Sequence, residues 1–505
     1  MNLLMGLDLG TTALKAALFD LKGQLLAVST QEYSLITPKV NFVEEREDVY
    51  WTAFADAVTD LLTQYPDARQ SEIAMAISAQ GETIFAMGED GRALRNAIVW
   101  MDNRAQDEAE ELREKFGNDA CYKVTGQVSF EPCWPASKIL WLRHHEPEVF
   151  QKTKKFLLIE DYFIYRLTGR YATEGSLVCS STYWDIINRR YWKEMLDYIG
   201  IRKDQLAPAL ESGEVVGQIL PSVADELGLP HQLTVATGAL DQAAGAIGAG
   251  VAKEGMFSEN IGAALAICAP VSHPVYDPNG KMPLFVFPLK GMYMIHTFTN
   301  GGMTLRWFRD RFCDTELAAE RAGLGDAYDS ISREVGKVPA GSDGLIMLPH
   351  LAGSMPPDQN AKAKGVWFGF TLQHTRQHFM RAIMESLGYI LRRNVDSLRA
   401  MGIDVHEIRS LGGGSKSRIW NQIKADINGI TLETVKSKEA ASLGAAILAG
   451  KATGVFSDIG EAVHEMVSVK ETIEPNPENR SVYDAGYEMY QELFHDLTGC
   501  FAKTK

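Results

Sequence analysis

Apolar residues along the first hundred positions alternate between two periods. Residues 3–12, 14–20 and 24–34 are short apolar runs broken by a Gly-Thr turn and by Lys22-Gly23, which predicts an opening meander of three antiparallel strands. Residues 47–65 then carry Val49, Phe54, Val58, Leu61 and Leu62 at helical spacing. A strand over 72–79 runs into Gln80-Gly81-Glu82-Thr83, and another over 97–100 runs into Met101-Asp102-Asn103-Arg104. Open α/β sheets place ligands beyond the carboxyl ends of their strands, so both polar loops are pocket candidates. Residues 106–210 read as a mixed, mainly helical lobe over that pocket, followed by a strand at 233–237.

That strand delivers residues 237–250, a run of Gly and Ala whose one acid is Asp241. So few side chains let a backbone approach a ligand or another element closely. By itself this stretch reads as a helix packing seam with Asp241 as a helix cap. After it the pattern restarts: residues 255–268 repeat the strand, turn and strand of residues 3–20, which suggests two domains built alike. In the second half, residues 376–401 form the clearest amphipathic helix, with Phe379, Ile383, Leu387, Ile390, Val395 and Leu398 in one stripe. A strand at 408–411, the glycines Gly412, Gly413 and Gly414, and a helix at 418–428 follow, an order that offers backbone N–H groups to an anion or nucleotide. A strand at 431–435 and a small-residue helix at 439–449 come next. The tail beyond Gly454 reads as polar and helical.

Composition narrows the function. A chain of 505 residues exceeds what one hydrophobic core organises, so two domains are expected. With 50 Lys and Arg against 65 Asp and Glu, the net charge of −15 argues against a nucleic-acid or anionic-membrane partner and for a small molecule. No run of 18 apolar residues occurs, and six scattered cysteines without metal-ligand spacing read as reduced thiols in a cytoplasmic protein. Lys15 and Lys416 read as solvated surface charges, and His296 and His350 as core histidines. Asp102 and Arg104 are close enough in sequence to pair structurally.

Neither the P-loop pattern nor the Rossmann glycine pattern is present. What remains is Asp8-Leu9-Gly10-Thr11-Thr12, a turn whose N–H and O–H donors can wrap phosphate while its acid holds hydrated Mg²⁺. Taken with Gly238-Ala239-Leu240-Asp241-Gln242 and Leu411-Gly412-Gly413-Gly414-Ser415-Lys416-Ser417, it resembles the FGGY carbohydrate kinases of the actin-like ATPase superfamily. Gly365, Gly369, His378, Phe379 and Ala382 to Glu385 match the family's C-terminal signature apart from Phe370. Pro135, Lys138, Trp141 and Leu142 match part of an earlier one.

The resemblance, spanning about residues 3–450, implies an α/β protein of two actin-like, ribonuclease H-like domains, 1–252 and 253–505, each a mixed sheet flanked by helices around an interdomain cleft. It implies ATP and Mg²⁺ as cofactors and ATP-dependent phosphorylation of a small sugar or polyol, a pentulose such as xylulose first, with glycerol, another polyol or gluconate as alternatives. Asp241 is then the general base. Asp8, Gly10, Thr11 and Thr12 form the first phosphate loop, with Asp8 at the metal; Gly262 belongs to the second; and Gly413, Gly414 and Ser417 lie against adenosine. Gln80, Glu82, Asp102, Trp134 and Gln242 face the sugar. A homodimer is compatible with the family. The second phosphate loop reads Gly262-Ala263-Ala264 where the family usually has hydroxyls, the one feature favouring a nucleotide-binding regulator without sugar kinase activity. Gly81 leaves room for something longer than glycerol.

Overall fold

The computed structural model describes residues 2–503 and contains two mixed seven-stranded sheets, each flanked by helices. In the first, Asn2–Leu9 lies between antiparallel Ala13–Phe19 and parallel Glu72–Ala79. Leu25–Glu32 extends one edge, and Thr234–Ala236 with Val215–Gln218 the other. Leu3, Leu4, Met5, Leu7 and Leu9 are all buried, because this central strand is covered on both faces; that is why it reads as a continuous apolar run.

The second sheet repeats the plan. Met256–Ile261 lies between antiparallel Ala264–Val271 and parallel Glu407–Leu411, with Tyr293–Asn300 next in order. The likeness of residues 255–268 to residues 3–20 therefore reflects equivalent places in two similar sheets.

Two small-residue helices, Asp241–Gly248 and Ala440–Ala452, cross between the sheets. A Cβ on Gly248 would lie 1.8 Å from the Ala440 carbonyl oxygen, and one on Gly444 would lie 1.8 Å from that of Ala244. The Gly and Ala content of both helices is thus a condition of backbone contact. The second helix also lies on the first sheet, where a Cβ on Gly6 would stand 1.7 Å from the Ser442 carbonyl oxygen.

Two elements differ from expectation. The strand expected over 97–100 is only Ala97–Ile98, and it joins a separate four-stranded sheet with Glu44–Glu45, Ile84–Met87 and Lys155–Leu158. The tail contains helices Ile459–Met466 and Arg480–Phe501, but also Val469–Ile473, an edge strand antiparallel to Thr431–Val435. Its exposed Lys470 and half-buried Glu471 hide the strand in the sequence, as charges on edge strands commonly do. Among the described residues no helix is long and apolar enough to cross a membrane, and the six cysteines are unpaired.

Candidate active site

Three parallel strand ends converge in the first sheet. Asp8 sits near the end of Asn2–Leu9, opposite Ser78 on Glu72–Ala79, and the Ser78 hydroxyl donates to Asp8 Oδ1 at 3.0 Å. Ala239–Leu240 pairs in parallel with Ser78 and Ala79 and delivers Asp241. The helix that follows takes Leu240 as its N-cap without a side-chain bond, while Asp241 Oδ1 accepts from the Gln242 backbone N–H at 2.6 Å. Asp241 is therefore the first helical residue and not the cap. It faces a cavity of roughly 220 Å³ shared with Asp8, Gly10, Gln242 and Glu439.

The electrostatics of this cavity follow from burial of several acids together. Burial raises the Asp8 carboxyl above its ordinary value against the opposing Ser78 hydroxyl and Lys15. Asp241 is pushed up to about 7, first by burial, then by the charge of Asp8 and, further on, that of Glu82. Lys15, expected in solvent, instead forms an ion pair with Glu439 across the cavity. Its place is set by the register that pairs it with Asp8.

A second cavity of roughly 600 Å³ is lined by Gly262, Gly413, Gly414 and Ser417, together with Tyr328 and Trp420. The two spaces adjoin at the glycine loop: Gly412 lines the first and Gly413 the second. Gly412 has φ +74°, and a Cβ there would stand 2.4 Å from Asn260 Oδ1, so the loop requires glycine at this point. Ser417 caps Arg418–Asn428, accepting from the Trp420 N–H at 3.2 Å. Gly262 and Ala263 are braced by the N–H groups of Gly302 and Met303, each at 3.0 Å. In the first loop, Thr11 Oγ1 accepts from the Trp100 indole N–H at 2.8 Å, and Thr12 is exposed.

On the other side, Gln80 is buried, and its Oε1 has no protein partner among the described residues. Glu82 follows with φ +58°, a conformation that costs an L-residue energy and often marks a functional loop. Burial raises its carboxyl above the ordinary value, with Ser180 opposing. Lys138 is fully buried and holds this loop, donating to the backbone carbonyls of Glu82 and Val99 at 2.9 Å each. Burial draws its ammonium down to about 8. Trp134 is half-buried, its indole N–H donating to the Ser129 carbonyl at 3.0 Å.

Asp102 differs from its expected place against the sugar. Its Oδ1 accepts from the Arg104 backbone N–H and Nε, and its Oδ2 from Val43 N–H and an Arg104 terminal nitrogen; the residue is fully buried. Both oxygens are occupied, so Asp102 and Arg104 form a structural pair that shapes the loop from within.

Residues 3–248 match the N-terminal domain of the FGGY family of carbohydrate kinases, and residues 272–453 match its C-terminal domain. The chain belongs to this family. It is 30% identical over 495 residues to the xylulose kinase of Bacillus subtilis (strain 168), covering 98% of this chain and 97% of that protein. It is 30% identical over 482 residues to a gluconokinase of Bacillus licheniformis, covering 95% and 93%. A crystal structure of ligand-bound xylulose kinase from Lactobacillus acidophilus superposes with a TM-score of 0.90 at 27% identity, covering 100% of both chains.

As an FGGY kinase, the protein is an ATP-dependent carbohydrate kinase with the actin-like fold and a small-molecule sugar substrate. Its structure brings Asp8, Gly10, Asp241 and Gln242 to one cavity and Gly262, Gly413, Gly414 and Ser417 to the adjoining one. Sequence reasoning missed Glu439, Ser442, Asn260 and Trp100. Glu439 and Ser442 arrive on a helix that crosses from the second half, and nothing local marks that crossing. Trp100 carried a signal in its position at the end of an apolar run, next to a polar loop. His350 is buried as expected, 3.1 Å from the Tyr490 hydroxyl, whereas His296 is half-buried, 2.7 Å from the Ile267 carbonyl.

Proposed function

We propose that the FGGY kinase transfers the γ-phosphoryl group of ATP to a hydroxyl of a pentulose, xylulose first, with Asp241 as general base. The carrying observation is that Asp241 faces a cavity adjoining, at Gly412 and Gly413, the glycine-lined space suited to adenosine. The sugar oxygen attacks phosphorus, the bond to the bridging oxygen breaks, ADP leaves, and the hydroxyl proton passes to Asp241. Such a base contributes on the order of 10²–10⁴ in rate. Alignment of the two substrates supplies most of the remainder, because phosphoryl transfer depends chiefly on positioning and charge.

Thr11 and Thr12 offer donors to the β- and γ-phosphates, Gly10 closes their turn by donating to the Ala13 carbonyl at 3.0 Å, Gly262 bounds the opposite side, and Gly413, Gly414 and Ser417 bound the adenosine. Asp8 fits Mg²⁺. Magnesium binds through one or two carboxylates plus phosphate and water, and Asp8 and Asp241 face one cavity with like charges that disfavour each other. Bound there, the ion would neutralise charge on the transferring group. Gln80 Oε1, Glu82, Gln242 and the Trp134 ring supply acceptors and a face for the polyol.

The xylulose kinases among the relatives support a pentulose, and the equally similar gluconokinase makes gluconate the second reading. Charge favours the first: an acid substrate would bring another carboxylate beside Asp8, Asp241 and Glu82. We take residues 1–252 and 253–505 as the two domains. The unpaired cysteines, four of them buried, support a reducing, cytoplasmic setting. A coupled ADP-release assay across pentuloses, pentitols, tetritols, glycerol and gluconate should give one preferred substrate, a pentulose. Preference for gluconate would select the second reading, and a flat response would remove both.

A further inference from the structure

Asp241 hangs from a strand of two residues. Ala239 and Leu240 pair with Ser78 and Ala79 on one side, and in a parallel pair alternate N–H groups face the opposite side. On that side side chains of the lobe stand in for a strand. The Gly238 N–H donates to Glu160 Oε1 at 2.7 Å, and the Leu240 N–H donates to Ser176 Oγ at 3.0 Å. Ser176 Oγ in turn donates to Glu174 Oε1 at 2.7 Å, and Glu174 Oε2 accepts from Ser176 N–H at 2.7 Å and Ser212 Oγ at 2.6 Å. Glu160, Glu174 and Ser176 are each 0% exposed. The close fit on the other side leaves the loop no room to relax, because a Cβ on Gly238 would stand 1.7 Å from the Ile77 carbonyl oxygen.

We propose that Glu160 and Ser176 are positioning residues that fix the backbone of residues 238–240 and thereby aim the Asp241 carboxylate along the cleft. The inference rests on the reading of Asp241 as the base. Glu160 acts through the Gly238 N–H and Ser176 through the Leu240 N–H, and Glu174 orients Ser176. Neither positioning side chain touches the cavity. Burial, and after it the charge of Glu174, raises the Glu160 carboxyl well above the ordinary range. The role of Glu160 is that of an oxygen acceptor for the Gly238 N–H, and the side-chain carbonyl of glutamine supplies such an acceptor at the same length.

The test uses the full chain with ATP and the best substrate of the assay above. A displacement of about 1 Å in a reacting group costs on the order of 10²-fold in rate, so Glu160→Ala and Ser176→Ala should each lower kcat by about 10- to 100-fold. KM for ATP should stay within about twofold, because the nucleotide cavity is lined by other residues. Glu160→Gln should keep kcat within about threefold, since it retains the acceptor. Unchanged kcat in both alanine variants would overturn the proposal. So would a Glu160→Gln loss as large as that of Glu160→Ala, or an ATP KM that rises in step with the fall in kcat. Should Glu160→Ala fail to fold, Ser176→Ala, a smaller change, decides the outcome. Asp241→Asn measured alongside separates the two readings. Turnover retained there removes the base, whereas turnover lost there with active alanine variants removes only the positioning role.

Discussion

Asp241 carries the pH dependence expected of this enzyme. Its carboxyl is pushed up to about 7 by burial, by Asp8 and by Glu82, and a general base works only when deprotonated. In the free enzyme, kcat/KM should therefore be full above about 7 and fall as the pH drops through that value. Glu82→Gln removes one of the facing charges and should move this limb to lower pH, read from a plateau-normalised profile. Activity flat between about pH 5 and 8 would exclude Asp241 as the titrating group. Much of this set was readable only through the ordered motifs that carry the family resemblance, since by residue type alone Asp241 reads as a helix cap; Asp8, Asp241 and Gln242 lie in short motifs fixed by local strand ends. For Asp102 the structural pairing with Arg104 read from the sequence holds, and the place against the sugar that the resemblance implied does not, because a carboxylate two residues from an arginine satisfies itself locally. Lys15 was misjudged for the opposite reason, since its partner Glu439 lies on a distant segment.

The crossing of Asp241–Gly248 and Ala440–Ala452 depends on where the small residues stand, and glycines in the two helices differ accordingly. A Cβ on Gly444 would collide with the Ala244 carbonyl at 1.8 Å, whereas one on Gly245 meets nothing within 4 Å. Gly444→Ala should destabilise the protein by about 1–3 kcal/mol or more through overpacking. Gly245→Ala should be neutral or stabilising by about 0.5–1 kcal/mol, the helical preference for alanine. Urea denaturation midpoints read both, and equal midpoints for the two variants would contradict the crossing. The long helix Arg376–Ala400 and the opening strands were readable because their apolar period is strong. The strand at Ala97–Ile98 was read two residues too long, and Val469–Ile473 was not read at all, being polar along an exposed edge.

The cavity lined by Asp241 and the glycine-lined cavity adjoin at Gly412 and Gly413, with the Lys15–Glu439 ion pair spanning the first. Closure around both ligands should couple their binding. A nonhydrolysable ATP analogue and the preferred sugar together should raise Tm by more than the sum of the separate shifts. Strict additivity in a thermal melt would indicate independent sites. That two similar sheets exist was readable in the repeat of residues 3–20 at 255–268; how they meet was not, because helix crossings leave no mark on either helix beyond small residues.

The helix Ala440–Ala452 comes from late in the chain yet closes the sheet built by its beginning, with Ser442 pressed on Gly6 and Gly450 within reach of Leu4. During synthesis the amino-terminal sheet must therefore wait, one face bare, until some 450 residues have left the ribosome. Release of a shortened chain would strand that apolar face in water, where it becomes a target for chaperones and for self-association.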